Sequence, residues 1–387
     1  MPPGHDEPRV AIDYTELRGR SYRCIDHCAL CCLCQPELLP EEEAEFRATP
    51  ELADAVTEKH ISPETRGPGI KLKGAHGACW FLKNRRCRIY ERRPHFCRTF
   101  PINVFVGRRV QLNANFSCRG IGLPGERLER AGREVVASYG LRRLWYELGK
   151  AGAVYDQFEE NCREARVMQS ASSVREAAKA LLDDLVDPIG LSRILTYAVS
   201  GETSQNSAAK EIVRYVRRTD PEEDIEETAI TIATELFDLP ELSYLPVYID
   251  ESLRWRIYKL VSGKIVGYVL SDDGGISEVS STEPSEVDLV RFGTGGAAAM
   301  KSYLRLVNAR DCFLGHAAYM CDAEDYQYNF AQVYLGVLAH NALDLWWRSS
   351  FLAHLESGQE LGTKEVKEGI VFFDMDLLDL PSIGAFI

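Results

Sequence analysis

Four thiols stand within nine residues of one another near the start of this chain: Cys24, Cys28, Cys31 and Cys32. Four more follow at Cys79, Cys87, Cys97 and Cys118, and a further thiol, Cys34, sits just behind the first group. Thiols crowded in this way cannot all pair with one another as disulfides without severe strain. They can converge on a metal, because a short loop wraps an ion or an iron–sulfur cluster easily. Thiolate is a soft ligand and selects Zn, Cu(I) or Fe–S over Mg or Ca. Metal chemistry therefore constrains the first third of the chain before any secondary structure is considered.

The rest of the sequence agrees with a reducing compartment. The opening MPPGHDEPRVAIDYTELRGR carries charges and prolines but no apolar leader segment. No stretch approaches the ~20 apolar residues of a membrane span. The expectation is a soluble, cytoplasmic protein without membrane association, where dense cysteines mean metal or catalysis rather than disulfides. A length of 387 residues suggests two or three domains.

Net charge is −13, yet residues 66–120 hold 13 Lys or Arg and one acid, Glu91, which makes that window +12 and the remainder −25. A basic island in an acidic protein is a localised field. It could bind nucleic acid, hold an anionic substrate or acidic protein partner, or balance a thiolate-rich centre. Balancing the centre is the leading reading, and nucleic acid the last. The nearby Trp80, Phe81, Tyr90, Phe96 and Phe100 sit among apolar residues and read as core rather than as a base-stacking platform.

Periodicity gives a coarse map. Residues 1–20 read as a loosely ordered arm, and 21–123 as a Cys-rich loop and hairpin domain. Within that domain, LLPEEEAEFRAT reads as a helix start, with proline in the first turn and acids facing the dipole. SPETRGPGIKLKGAHGA, residues 62–78, is a Gly/Pro-rich loop. CWFLKNRRCRIY reads as a hairpin turning at Lys83–Arg86, and INVFVGRRVQLN as a second, turning at Gly107–Arg108. From 124 to 387 the pattern is mainly helical. The exception is 244–281, where RWRIYKLVSGKIVGYVL predicts an antiparallel insert. The fold class expected is α+β, mainly α. The apolar tail 371–387 is expected to dock on the helical part, since its exposure would leave an aggregation-prone patch.

The pattern C-x3-C-x2-C-C, then C-W-F-L, then C-R-I-Y-E-R-R-P-x-x-C-R-T-F-P and a last cysteine, resembles the YkgJ-type CxxCxxCC cysteine-cluster family. The likeness runs from Cys24 to Cys118 and includes LLPEEEAEF and Ile89-Tyr90-Glu91-x-Arg93-Pro94. Members are described as zinc- or iron-chelating, some as Fe–S oxidoreductases. The chain departs from the pattern in its three-residue first gap and in the additional Cys34. Its architecture also bears a distant likeness to flagellin lysine-N-methylases of the FliB type. That likeness implies protein lysine methylation with S-adenosylmethionine, should it extend to activity.

Eight ligands, Cys24, Cys28, Cys31, Cys32, Cys79, Cys87, Cys97 and Cys118, are too many for one tetrahedral zinc. They suit an Fe–S cluster, 4Fe–4S first, with or without zinc, or zinc alone as a structural staple. The adjacent Cys31 and Cys32 strain a single shared ion and are read as facing different centres. Arg92, Arg93 and Arg98 are assigned to the centre, pairing with its sulfurs or with Glu91, where positive charge raises a cluster's potential. His27 and His95 read as neighbours of the ligands rather than ligands themselves. Cys162, Cys312, Cys321, His316 and His340 read as core. Gly293-Thr294-Gly295-Gly296 lacks a full phosphate-loop pattern and reads as a flexible approach to a helix. The function expected is Fe–S-dependent redox or group transfer, with the catalytic residues unassigned. The alternative is a zinc-stapled binding or metal-delivery protein that docks an acidic partner on the basic island.

Overall fold

The computed structural model describes residues 10–59, 67–74, 77–200 and 207–387. Among them are thirteen α-helices and several small sheets, an α+β arrangement dominated by helix. Residues 1–9 and part of the loop expected over 62–78 lie outside the described residues. The described part of that loop holds the strand Gly69–Ile70, antiparallel to Val56–Thr57.

The helical core is built on Phe330–Leu355, a 26-residue helix. Its apolar residues run most of the way around the helix, so it is buried on all but one face, where Val333, Val337, His340, Asn341 and Asp344 keep some exposure. Helices Thr363–Leu378, Pro188–Val199, Asp311–Ala323 and Ile225–Phe237 all pack against it. No described helix is long and apolar enough to cross a membrane. The expected insert is a four-stranded antiparallel sheet of Tyr248–Ile249, Trp255–Val261, Lys264–Leu270 and Ile276–Thr282. Ser262 and Gly263 both have positive φ, at 50° and 80°. That is the two-residue turn whose twist matches the flanking strands.

The second expected hairpin forms as Ile102–Val106 against Val110–Ala114. It is the centre of a sheet that the sequence did not suggest. Ile12–Asp13 adds parallel to Val110–Gln111, and Ala385–Phe386 adds antiparallel to Phe105–Val106. The segment from residue 10 is thus no loose arm: Leu17 is fully buried, and Glu16 pairs with the buried Arg310. A two-residue strand has too little periodicity to be seen in sequence; its partner, not its composition, makes it a strand.

The tail divides. Phe372, Phe373 and Leu377 join the helical core as expected, whereas Phe386 stacks edge-on against Phe105 of the hairpin at 5.2 Å. The hairpin's other face is covered by Leu128, Val135, Val136, Tyr139 and Leu144, from the helices Leu128–Tyr139 and Leu141–Glu164.

The glycine run before the helix Thr294–Ala309 is filled by the chain itself. Phe292 bridges to Leu361, and a Cβ on Gly296 would lie 1.9 Å from the Leu361 carbonyl oxygen. Glycine stands there for close backbone approach, and no space remains for a phosphate. The other core expectations hold, with one exception. Cys162, Cys312 and Cys321 are buried. His316 is buried, with Nδ1 2.7 Å from the Pro381 carbonyl. His340 departs from the expectation: it is exposed on the long helix, its Nδ1 2.9 Å from the Gly336 carbonyl one turn earlier.

Candidate metal centre

Three segments supply the thiols, and backbone contacts fix how they meet. The first, residues 22–34, is a tight loop with left-handed backbone at His27 (φ 62°) and Ala29 (φ 51°). Such conformations cost a non-glycine residue about 1 kcal/mol or more each and persist where surroundings enforce them. Here the Cys28 carbonyl accepts from the buried Trp255 indole at 2.9 Å and from Arg85 at 3.2 Å. The helix Pro40–Ala48 follows, its first turn filled by Pro40 and three glutamates.

The second segment carries Cys79, Cys87 and Cys97. The Cys79 amide donates to the Cys32 carbonyl at 2.7 Å. Leu82–Lys83 then pairs with Arg86–Cys87 across a turn in which Asn84 (φ 52°) and Arg85 (φ 58°) are both left-handed. This is the hairpin read from the sequence, shorter than its apolar run suggested. Cys97 lies on the short helix His95–Thr99. The third segment brings Cys118 beside Cys24, through the Arg23 amide bond to the Gly120 carbonyl and the bridge between Tyr22 and Ile121.

All eight cysteines, together with Cys34, line one cavity of about 440 Å³. A second space of about 450 Å³ adjoins it and shares Phe81, Cys87, Ile89 and Tyr90. Burial raises the thiols of Cys24, Cys28, Cys87 and Cys97, pushing Cys79 up to about 11 and Cys118 up to about 12. Cys31 and Cys32 hydrogen bond to each other, which holds the Cys31 thiol below its ordinary value and the Cys32 thiol well above. A bound cation would reverse that burial penalty, since coordination deprotonates a thiol. The donor set is all sulfur, which fits zinc or an Fe–S cluster. Among the described residues, no group of three or more His, Cys, Asp or Glu side chains stands at the spacing needed to hold a metal ion. The thiols surround a space rather than a point.

The supporting groups differ in part from those the sequence named. Of the three assigned arginines, Arg93 lines the cavity, within electrostatic reach of Cys24, Cys31 and Cys87, and covers the Tyr90 ring at 3.6 Å. Arg92 and Arg98 turn away to Glu45 and Glu42 of the helix Pro40–Ala48. None of the three pairs with Glu91. Sequence reasoning missed Arg85, which lies 3.5 Å over the Trp255 ring and pairs with Asp272. It also missed Arg119, in reach of Cys28 and held by both oxygens of Glu368. Both partners come from residues more than 180 positions away, so no local pattern could have marked them. His27 is exposed at the rim, and His95 is buried edge-on against Tyr139 at 4.3 Å.

The basic island spends most of its charge within the chain. Arg85, Arg86, Arg92, Arg98, Arg108, Arg109 and Arg119 all pair with acids, among them Asp272, Asp156, Asp311 and Glu368 of the later region.

Cys34, the thiol outside the pattern, meets the C-terminal helix. Its Sγ lies 3.6 Å from Met375 Sδ. The neighbouring Asp374 accepts from the Phe116 amide at 2.5 Å, and the Met375 amide donates to Ser117 Oγ at 2.9 Å. The segment bearing Cys118 is thereby tied to the helix Thr363–Leu378. No curated protein and no solved structure matches the chain. Residues 23–119 match the family model CxxCxxCC, described as a "putative zinc- or iron-chelating domain".

Proposed function

We propose, from the match of residues 23–119 to the CxxCxxCC family model, that the chain holds an Fe–S centre in the thiol-lined cavity and uses it for redox or group-transfer chemistry. The observation carrying this reading is the cavity itself: eight thiols from three separated segments line one space. A thiol set that encloses a volume without closing on a point suits a multi-atom cluster better than a single ion. When bound, such a cluster supplies one-electron chemistry or a Lewis-acidic iron.

The chain's own residues do the rest. Arg93 places a permanent positive charge beside Cys24, Cys31 and Cys87, which favours the more negative, reduced state of a sulfur-ligated centre. The Trp255 and Arg85 donors fix the Cys28 carbonyl and with it the first loop. The adjoining space at Cys87 leaves a route for a small substrate to the edge of the thiol set.

The rival reading, a zinc-stapled docking module, requires free cations on the basic island. Pairing of seven of its arginines with the chain's own acids weighs against it. Anaerobic purification with iron, zinc and acid-labile sulfide analysis, followed by Mössbauer and EPR spectroscopy, tests the proposal. Iron and sulfide in matching amounts are expected. A colourless protein with stoichiometric zinc and no iron would overturn it.

A further inference from the structure

We infer that the eight thiols are two complete four-thiol sets, each holding its own centre: Cys24, Cys28, Cys31 and Cys118 in one, and Cys32, Cys79, Cys87 and Cys97 in the other. This deepens the reading above and rests on it only for the presence of metal, not for the metal's identity.

The backbone divides the thiols this way. The first loop and the segment around Cys118 are joined by the Arg23–Gly120 hydrogen bond and the Tyr22–Ile121 bridge, which bring Cys24 and Cys118 within reach of each other. Cys28 and Cys31 belong to that loop, and each of Cys24, Cys28 and Cys118 lies in electrostatic reach of the others or of Cys31. The second set is assembled by different contacts. The Cys79 amide bonds the Cys32 carbonyl, and the hairpin register sets Leu82 opposite Cys87. Cys32 packs beside Cys79, Phe81 and Ile89 on one side and against the cluster of Cys28 on the other, and the thiols outside its own loop that it feels are Cys79 and Cys87. Cys97 lies within reach of Cys79 and Cys87, and all three also lie within reach of Cys31, which stands between the two groups; Cys24, Cys28 and Cys118 are not among their strongest electrostatic neighbours.

The adjacent pair Cys31–Cys32 is the seam. Neighbouring residues on a 3₁₀ turn, Leu30–Cys32, project about 120° apart, so one can serve each side. Four thiolates complete the shell of one tetrahedral zinc or one cubane cluster. Two sets of four therefore leave no thiol of the eight spare, and Cys34 belongs to neither.

Two experiments on the full chain test this. In the first, the double variants C24S/C118S and C79S/C87S are purified anaerobically beside the parent, with circular dichroism confirming their fold. Each should keep half of the parent's metal per chain, measured by mass spectrometry. Loss of all metal from a folded double variant would show one shared centre, and full retention would show that its set is no ligand set. The second uses the parent alone, so it does not depend on variants folding. The apoprotein is loaded with increasing zinc or iron plus sulfide, and free thiols are then alkylated and mapped. Protection should arrive four residues at a time, along the partition given. Simultaneous protection of all eight, or protection crossing the partition, would overturn the inference. Halving of zinc rather than iron would support the two sets while sinking the Fe–S reading, so the two failures are distinguishable.

Discussion

At the scale of single residues, the site depends on groups that never touch its cavity. Trp255 is fully buried, and its indole N–H bonds the Cys28 carbonyl. Trp255→Phe keeps most of the packing and removes the donor. It should cost about 1–2 kcal/mol in urea unfolding of the apoprotein, since a buried carbonyl loses a partner. Cys34 makes the opposite case. It is a soft ligand type at the cavity wall, but its contact is the Met375 thioether. Cys34→Ala should leave metal content unchanged, and a drop in metal per chain would restore it to the ligand set. Arg310 is wholly buried between Asp374 and Glu16. Arg310→Ala leaves two carboxylates unpaired and should destabilise by about 3–5 kcal/mol, measured by denaturant titration.

His316 carries a pH prediction. Burial lowers its pKa below the ordinary 6.5. The unfolded chain therefore takes up a proton at pH values where the folded chain resists it, and stability is lost as pH falls through and below that ordinary value. Unfolding midpoints measured between pH 7.5 and 5.5 should fall, and His316→Gln should flatten that part of the profile.

At the scale of elements, periodicity was a good guide wherever an element is long enough to show one. The helices from Leu128 onward, the Ser262–Gly263 hairpin and the Asn84–Arg85 turn were all legible, because apolar spacing and turn chemistry are local. The cysteine spacing likewise announced a soft-metal site. The strand Ile12–Asp13, the strand Ala385–Phe386 and the support given by Arg85 and Arg119 were not legible. Each is defined by a partner that chain topology supplies from a distance. The run Gly293–Gly296, read as a flexible approach to a helix, is instead a close backbone crossing, and in sequence a flexible approach and a tight crossing look alike. Gly296→Ala decides between them. Its Cβ would meet the Leu361 carbonyl oxygen at 1.9 Å, so a stability loss of about 1–3 kcal/mol is expected from overpacking. An unaffected melting curve would mean that the crossing is looser than described.

At the scale of the whole molecule, the Cys-rich region is embedded rather than appended. The first thiol loop packs with Leu245, Val247, Ile249 and Trp255 of the sheet insert. The segment before Cys118 is held by Asp374 and Met375 of the C-terminal helix. Lys73, beside the second thiol segment, meets the turn at Asp272. Ending the chain after Gly384 removes only the outermost strand. It should lower the melting temperature with metal content intact. Ending it before Thr363 removes the support of the Cys118 segment and should lose metal as well. Equal metal retention in both truncations would mean that the cysteine region folds independently.

The sheet that takes Ile12–Asp13 on one side and Ala385–Phe386 on the other also sets a clock. Ala385 is made 279 positions after Val106, its partner in the sheet. At about 5–20 residues per second, the hairpin edge waits on the order of 15–60 s for its covering strand during synthesis. Throughout that interval the nascent chain shows an open strand edge, the kind that pairs with whatever strand comes near. The thiols of the cavity, complete once Cys118 is made, wait with it for nearly all of that interval. A cell that stalls between these two strands would thus accumulate a species that is at once sticky and thiol-rich, which makes ribosome pausing in that stretch a hazard in its own right.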